Sequence, residues 1–130
     1  MSTKKLVTFV FYTLYVSLNS YAQVKILSWN VENLGKSKPD STLAFIASTV
    51  KEYDIVALQE VVAGYGGAQA VAKLAEQLNQ TGTQWDYIVS NPTTSSSYKT
   101  ERYAYLWKPS KVKKIGDVWL EQHYSLEIDR

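Results

Sequence analysis

The spacing of apolar residues along the chain changes several times between two patterns, and this change predicts an α/β fold. Short runs rich in β-branched and aromatic residues, bounded by polar loops, are typical of strands. Longer segments repeat apolar residues every three or four positions, which is typical of helices with one buried face. The expected strands cover residues 24–31, 55–58, 85–89, 102–107 and 112–120, and the expected helices cover residues 40 or 41 to 53 and residues 68–79.

The order strand, helix, strand, helix, strand, strand, strand favours a sheet that begins with a crossover unit and continues with antiparallel strands. Asp40 is expected to cap the first helix, because its side chain can accept a hydrogen bond from the first helical turn. Residues 64–67 are expected to form a flexible turn, and Gly82 is expected to end the second helix. The pattern contains no internal repeat and no interdomain linker.

The first 22 residues predict a secretory signal peptide. Lys4 and Lys5 give a short positive start, residues 6–18 form an uncharged and mostly apolar run, and Ala22 follows at a position typical of signal-peptidase cleavage. The run of 13 residues is shorter than the roughly 20 that span a bilayer. We therefore expect no stable membrane anchor, cleavage near Ala22, and a secreted or periplasmic protein.

Composition narrows the interactions that the mature chain can make. Without Lys4 and Lys5 the chain has 12 basic and 12 acidic residues, so it carries no global basic field. Attraction to nucleic acid would then have to come from local side chains and a bound cation. The absence of cysteine excludes disulfides and a cysteine nucleophile.

Two polar residues stand at the expected ends of the first two strands. Asn30 lies at the end of the first strand, and Glu60 follows the apolar residues 55–58 of the second. The carboxyl ends of such strands meet at the crevice where α/β proteins bind ligands. Mg²⁺ takes oxygen ligands, often one or two carboxylates from the protein. A solvated strand end for Glu60 and a turn-forming role for Asn30 stay open, but together the two residues indicate a cation or phosphate site.

The segments around these residues resemble motifs of the endonuclease/exonuclease/phosphatase family. Residues 28–34 (Ser-Trp-Asn-Val-Glu-Asn-Leu) are similar to its first-strand motif, and residues 54–60 (Asp-Ile-Val-Ala-Leu-Gln-Glu) to its second, which ends in the metal-binding glutamate. Residues 97–107 are similar to the deoxyribonuclease I-like branch, with Thr100 as one extra residue. The closing residues 128–130 resemble the start of a segment whose arginine faces the scissile phosphate.

This resemblance implies the N-terminal half of a four-layered α/β sandwich with two facing mixed β-sheets, encoded as a partial domain over residues 23–130. The family motifs that supply a catalytic histidine, an Asp-x-Asn pair and a terminal Ser-Asp-His have no match here, and His123 matches neither catalytic histidine. An uncovered sheet would expose its apolar inner face. We therefore expect the chain alone to be inactive and to aggregate or stay partly unfolded.

Transferred residue by residue, the resemblance implies a catalytic set of Glu60, Asn30 and Glu101. Glu60 would hold Mg²⁺ or Mn²⁺, Asn30 would help to position the metal or the phosphate, and Glu101 would raise the basicity of a histidine. Ca²⁺ is a further candidate as a structural ion. The implied substrate contacts are Arg130 on the phosphate, and Tyr98 and Arg102 near a DNA groove.

The resemblance favours a secreted, Mg²⁺-dependent and largely nonspecific DNA endonuclease, with protein partners unknown. Two alternatives stay open: a phosphatase or lipid phosphodiesterase of the same family, and a truncated, inactive remnant or binding module. Val62 bears on this choice, because the mammalian nuclease of this branch has an arginine there that grips the minor groove. Valine cannot make that contact, which weakens the expectation of a duplex-DNA substrate.

Overall fold

The computed structural model describes residues 2–5, 23–93 and 100–119 of the 130-residue chain. The predicted signal peptide falls almost wholly on residues 6–22, outside the described part. Between residues 23 and 119 the elements are, in order, β1 (Ile26–Leu34), α1 (Asp40–Val50), β2 (Ile55–Val62), α2 (Tyr65–Asn79), β3 (Asp86–Val89) and β4 (Glu101–Trp107). Among the described residues, no helix is long and apolar enough to cross a bilayer.

The strands form one mixed sheet in the order β1-β2-β4-β3. Strands β1 and β2 are parallel and are joined through α1, whereas β4 lies between β2 and β3 and is antiparallel to both. This arrangement confirms the predicted α/β fold that starts with a crossover unit and continues with antiparallel pairs. It also places the carboxyl ends of β1 and β2 side by side at one edge.

The two helices supply side chains to one buried core on a single face of the sheet. Burial alternates along the strands, so Val56 and Leu58 of β2 and Leu106 of β4 are buried while Tyr105 of β4 is 44% exposed. Ile26, on the same open face, is 65% exposed. Full burial of each core leucine or valine stabilises the fold by about 1.5–3 kcal/mol. The helical core residues are Leu43, Ile46, Ala47 and Val50 of α1 and Ala70, Val71, Leu74, Ala75 and Leu78 of α2.

The start of α1 differs from the prediction. Asp40 is the first helical residue, and Pro39 takes the N-cap position with φ −69° and ψ 159°. Proline fits there because its ring fixes a suitable φ. The predicted cap role of Asp40 is therefore wrong, and its carboxylate instead lies 3.5 Å from Lys73 of α2. The helix ends at Val50 rather than at residue 53.

The start of α2 also differs, because residues 65–67 are helical instead of forming a flexible turn. A Cβ on Gly67 would lie 1.9 Å from the carbonyl oxygen of Val62. The helix can begin this close to the end of β2 only because position 67 has no side chain. Tertiary packing thus overrides the low helix propensity of glycine.

The predicted strand over residues 112–120 is wrong for the part that the structure describes. Residues 112–119 have no strand conformation, and Ile115 is 88% exposed. The segment follows β4 directly, and β4 already has β2 and β3 on its two sides, so a hairpin back onto β4 is not open to it. It pairs with neither outer strand, β1 or β3, and so its backbone finds no strand partner among the described residues. The chain instead turns after β4, where the Val112 N–H donates to the Lys108 carbonyl oxygen.

Gly67→Ala is expected to lower the free energy of unfolding by about 1–3 kcal/mol, because the methyl group would push the helix away from β2. Urea denaturation followed by circular dichroism measures the change. Gly64→Ala is the matched control, since a Cβ there would lie 3.9 Å from its nearest neighbour, a side-chain carbon of Val62. Equal effects of the two substitutions would contradict the close approach of α2 to β2.

A buried carboxylate stabilises the sheet at the amino end of β2, opposite the end where Glu60 lies. Asp54, just before β2, is 6% exposed and accepts a hydrogen bond of 3.0 Å from the Lys25 N–H through Oδ2. Its Oδ1 lies 3.6 Å from Nζ of Lys108, and that ammonium group stands 5.1 Å from the ring centroid of Trp85. The Lys25 N–H, with a smaller contribution from Lys108, holds the pKa of Asp54 below its ordinary value of 3.8.

This lowered pKa predicts how stability depends on pH. Because folding favours the charged carboxylate, its stabilisation is fully present above pH 3.8 and is lost as the pH falls through the lower pKa of the folded state. Asp54→Asn should therefore be less stable than the original chain at neutral pH, and the difference should shrink in acid. Urea denaturation at a series of pH values checks this, and a difference that is independent of pH would contradict it.

Candidate active site

A bulge near the end of β2 shapes the candidate site. Strand β2 pairs regularly with β4 as far as Leu58, and pairing resumes at Val61. Gln59 and Glu60 therefore stand opposite the single β4 residue Tyr103, which is the pattern of a β-bulge. Glu60 itself has φ 57°, in the left-handed region.

The bulge decides which way Glu60 faces. In a regular strand, residues two apart point to the same side, so Glu60 would follow Leu58 into the core. The extra residue shifts the alternation, and Val61, which is fully buried, takes the core position instead. Glu60 is thereby removed from the core face and is only half-buried. A non-glycine residue in this conformation is strained, and such strain concentrates at functional sites.

Strand β1 is distorted at the same level. Asn30 pairs with Gln59, and the next pair joins Leu34 to Val61, so residues 31–33 lie opposite Glu60 alone. Within this segment Glu32 and Asn33 also have positive φ values, 46° and 58°. Both parallel strands thus leave regular geometry where their carboxyl ends meet.

The structure brings together the two residues that the sequence singled out. Asn30 Nδ2 donates to Glu60 Oε1 over 2.6 Å, and Asn30 Oδ1 accepts the Glu32 N–H over 2.9 Å. The second contact orients the amide so that its nitrogen faces Glu60. A carboxylate has about four acceptor positions, so this pairing fixes the direction of Glu60 and leaves positions for a cation.

A second pair lies beside the first and was missed by sequence reasoning. Gln59 Nε2 donates to Ser28 Oγ over 2.7 Å. Ser28 precedes Asn30 by two positions, so both side chains point to the open face of β1. This spacing is the feature of the sequence from which Ser28 could have been predicted to lie at the site. Regular alternation already puts Gln59 on the open face, but Glu60 could not be placed beside it without knowledge of the bulge.

The donor set fits a hard divalent cation that keeps most of its water. Among the described residues, no group of three or more histidine, cysteine, aspartate or glutamate side chains could enclose a metal ion. Mg²⁺ is usually bound through one or two carboxylates together with substrate phosphates and water. Glu60, oriented by Asn30, can supply one such carboxylate.

Glu101 and Arg102 lie at the start of β4, beside the bulged strand. Glu101 pairs with Val62, and its N–H donates to Thr93 Oγ1 over 3.1 Å. Arg102 donates from Nε to the Ala63 carbonyl oxygen over 2.7 Å and from Nη1 to that of Ser90 over 2.8 Å. Arg102 therefore ties the end of β2 and the end of β3 to the strand between them.

The other predicted substrate contacts cannot be placed against this geometry. Tyr98 and Arg130 lie outside the described residues, as does His123.

Sequence comparison with known proteins identifies the family of this chain. The model of the Endonuclease/Exonuclease/phosphatase family matches residues 27–127, so the chain belongs to that family. The chain is similar to Deoxyribonuclease-1 of Bos taurus, with 41% identity over 95 residues that make up 71% of this chain and 33% of that protein. It is 30% identical to Deoxyribonuclease-1 of Homo sapiens over 107 residues, which are 80% of this chain and 37% of the relative.

Deoxyribonuclease gamma of Homo sapiens is 29% identical over 116 residues, which are 85% of this chain and 36% of the relative. The chain thus spans about a third of the length of the curated relatives that it matches. Family membership confirms the resemblance inferred from the two strand motifs. The family and the deoxyribonuclease relatives support a hydrolase of the nuclease or phosphodiesterase type.

The left-handed backbone conformation of Glu60 predicts how substitutions at this position change the free energy of unfolding. Glycine adopts the left-handed region without the cost of roughly 1–2 kcal/mol that an L side chain meets there. Glu60→Gly should therefore unfold with a free energy about 1 kcal/mol higher than Glu60→Ala, which keeps the strain and also lacks the carboxylate. Urea denaturation of the two variants measures the difference. If Glu60→Ala were the more stable of the two, the left-handed conformation would be wrong.

Proposed function

We propose that this chain supplies the metal-binding edge of an exported, Mg²⁺-dependent DNA endonuclease that hydrolyses phosphodiester bonds with little sequence preference. The observation that carries the proposal is the 2.6 Å contact between Asn30 and Glu60 on the distorted ends of two parallel strands. It is supported by similarity to proteins named as deoxyribonucleases.

In this proposal Glu60 binds the cation and Asn30 positions it. Mg²⁺, or Mn²⁺ in its place, would polarise the phosphate and neutralise charge on the leaving oxygen. Asn30 keeps the carboxylate pointed at the open face, because its amide is held from the other side by the Glu32 N–H. A separate structural Ca²⁺ stays a prediction; the part of the chain that the structure describes contains no group of three or more acidic, histidine or cysteine side chains that could hold it.

The remaining residues complete the proposal. Glu101, on the strand next to β2, would accept a hydrogen bond from a catalytic histidine other than His123 and raise its basicity. Arg130 would bind the phosphate through two parallel hydrogen bonds. Tyr98 would approach a DNA groove. Arg102 could reach substrate through its remaining N–H groups on Nη1 and Nη2, because Nε and one Nη1 donor are bonded to main-chain oxygens.

Export rests on the N-terminal segment. Residues 1–22 have the charge and apolar pattern of a signal peptide, and we propose that cleavage near Ala22 releases residues 23–130 as part of a secreted or periplasmic domain.

One observation favours the alternative of a phosphatase or lipid phosphodiesterase. Val62 packs on the chain at Gly35, where an added Cβ would lie 2.7 Å from Val62 Cγ2. It is a packing residue and offers no donor to a DNA groove. A substrate smaller than duplex DNA would not need such a contact.

Nicking of supercoiled plasmid by the purified chain tests the proposal. Any nicking by the chain should require Mg²⁺, be absent with chelator, and fall roughly 100-fold or more in Glu60→Ala, because that substitution removes the cation's carboxylate. No nicking at all would agree with the expectation that the chain alone is inactive. Glu52→Ala is the matched control, since Glu52 is an exposed carboxylate in the turn after α1.

Parallel assays with a phosphomonoester and a phospholipid separate the alternatives. Hydrolysis of either one without nicking would replace the nuclease by the phosphatase or lipid phosphodiesterase. DNA binding without any hydrolysis would indicate an inactive binding module. Nicking that survives chelation or the loss of Glu60 would overturn the proposed metal site.

A further inference from the structure

An aromatic side chain near the candidate site is largely exposed to solvent. Tyr65 is 79% exposed and is the first residue of α2, three positions after β2 ends at Val62. Gly64 and Gly66 flank it, so neither neighbour offers a side chain on which the ring could pack. The ring therefore contributes little to the core and presents its faces to solvent.

A lysine from a different loop lies next to this position. The backbone of Gly66 packs directly on Lys36, because an added Cβ on Gly66 would lie 2.9 Å from Lys36 Cβ and 3.1 Å from Lys36 N. Lys36 follows β1 by two residues and is exposed. The loops that leave β1 and β2 thus meet, and they bring a cation and an aromatic ring to the edge of the sheet where those two strands end.

The charge of Lys36 is available for a ligand. Neither ion pair in the described part of the chain involves it, since these join Lys73 to Asp40 and Lys108 to Asp54. Asp40, the acidic residue that begins α1, is already engaged by Lys73 at 3.5 Å. An uncommitted lysine beside a bare aromatic ring matches the chemistry of a nucleic-acid strand, which offers phosphates and the flat faces of its bases.

We propose that Lys36 and Tyr65 form a nucleic-acid contact, with the lysine on a backbone phosphate and the tyrosine ring stacked on an unpaired base. The inference rests on the proposed function for its partner, and it names single-stranded or frayed DNA as the preferred form. Stacking requires a base outside the helix, and every base has a face that can stack, so the contact carries little sequence preference. Such a contact would supply affinity for DNA at an edge where Val62 offers no cationic groove contact.

The test measures binding in chelator, so that it does not depend on hydrolysis. Fluorescence anisotropy of labelled 12-nucleotide single strands and matched hairpin duplexes gives the dissociation constants for the full chain. Tyr65→Ala should bind the single strand about five-fold or more weakly, whereas Tyr65→Phe, which keeps the ring, should stay within about two-fold. Lys36→Ala should weaken binding and lower the slope of log K against log salt by about one.

Two matched substitutions serve as controls. Tyr87→Ala removes an exposed aromatic from β3, at the far edge of the sheet, and Lys51→Ala removes an exposed lysine that follows α1. Neither should change the dissociation constant for the single strand by more than about two-fold. Thermal unfolding of each variant checks that the fold is kept, as expected for side chains outside the core.

The outcomes distinguish this inference from the proposed function. Selective weakening by Tyr65→Ala and Lys36→Ala supports it even if no variant nicks plasmid, in which case only the hydrolase proposal fails. The inference is overturned if the full chain does not bind either oligonucleotide. It is also overturned if Tyr65→Ala binds like the original chain, if the controls weaken binding equally, or if the duplex is preferred.

Discussion

The bulge at Gln59 and Glu60 is the constraint on which the rest of this edge depends. One extra residue in β2 takes Glu60 off the core face and lets Val61 fill the core instead. It also fixes where the strand ends, so that the Val62 carbonyl meets α2 at Gly67 and leaves no space for a side chain there. Packing of the helix, direction of the carboxylate and backbone strain are therefore consequences of the same local insertion.

The carboxylates at the two ends of β2, Asp54 and Glu60, differ in burial and in their partners. At the amino end of the strand, Asp54 is buried, accepts a hydrogen bond from the Lys25 N–H and forms an ion pair with Lys108. Both contacts hold neighbouring segments of the sheet together. At its carboxyl end, Glu60 is half-buried and accepts a hydrogen bond from Asn30. One carboxylate stabilises the fold, and the other is the one that we propose binds the cation. Substitutions at the two ends should accordingly affect stability and binding independently, since they share no partner.

Sequence reasoning reached the fold and the central pair because both follow from strong local patterns. Asn30 and Glu60 each end an apolar strand, and the crossover between the strands makes those ends neighbours. It failed where tertiary contacts overrule local preference. The glycines at the start of α2 are helical where the helix packs closely on β2, and the apolar alternation after residue 112 follows a strand whose two sides are already paired. A bulge built on glutamate rather than glycine leaves no mark in the sequence.

The position of β4 has a consequence for the order in which the sheet can assemble. Strand β3 precedes β4 in the chain, yet its hydrogen-bonded partner within the described part is β4, which lies between β3 and β2. As the polypeptide is synthesised, β1, α1, β2 and α2 can collapse early, but β3 has no strand to join until β4 arrives. The edge of β2 stays unpaired for the same interval. The pairing of β2 with β4, which joins Ile55 to Trp107, is the long-range step, and pairing of this kind folds slowly and leaves an apolar strand edge exposed until it is complete.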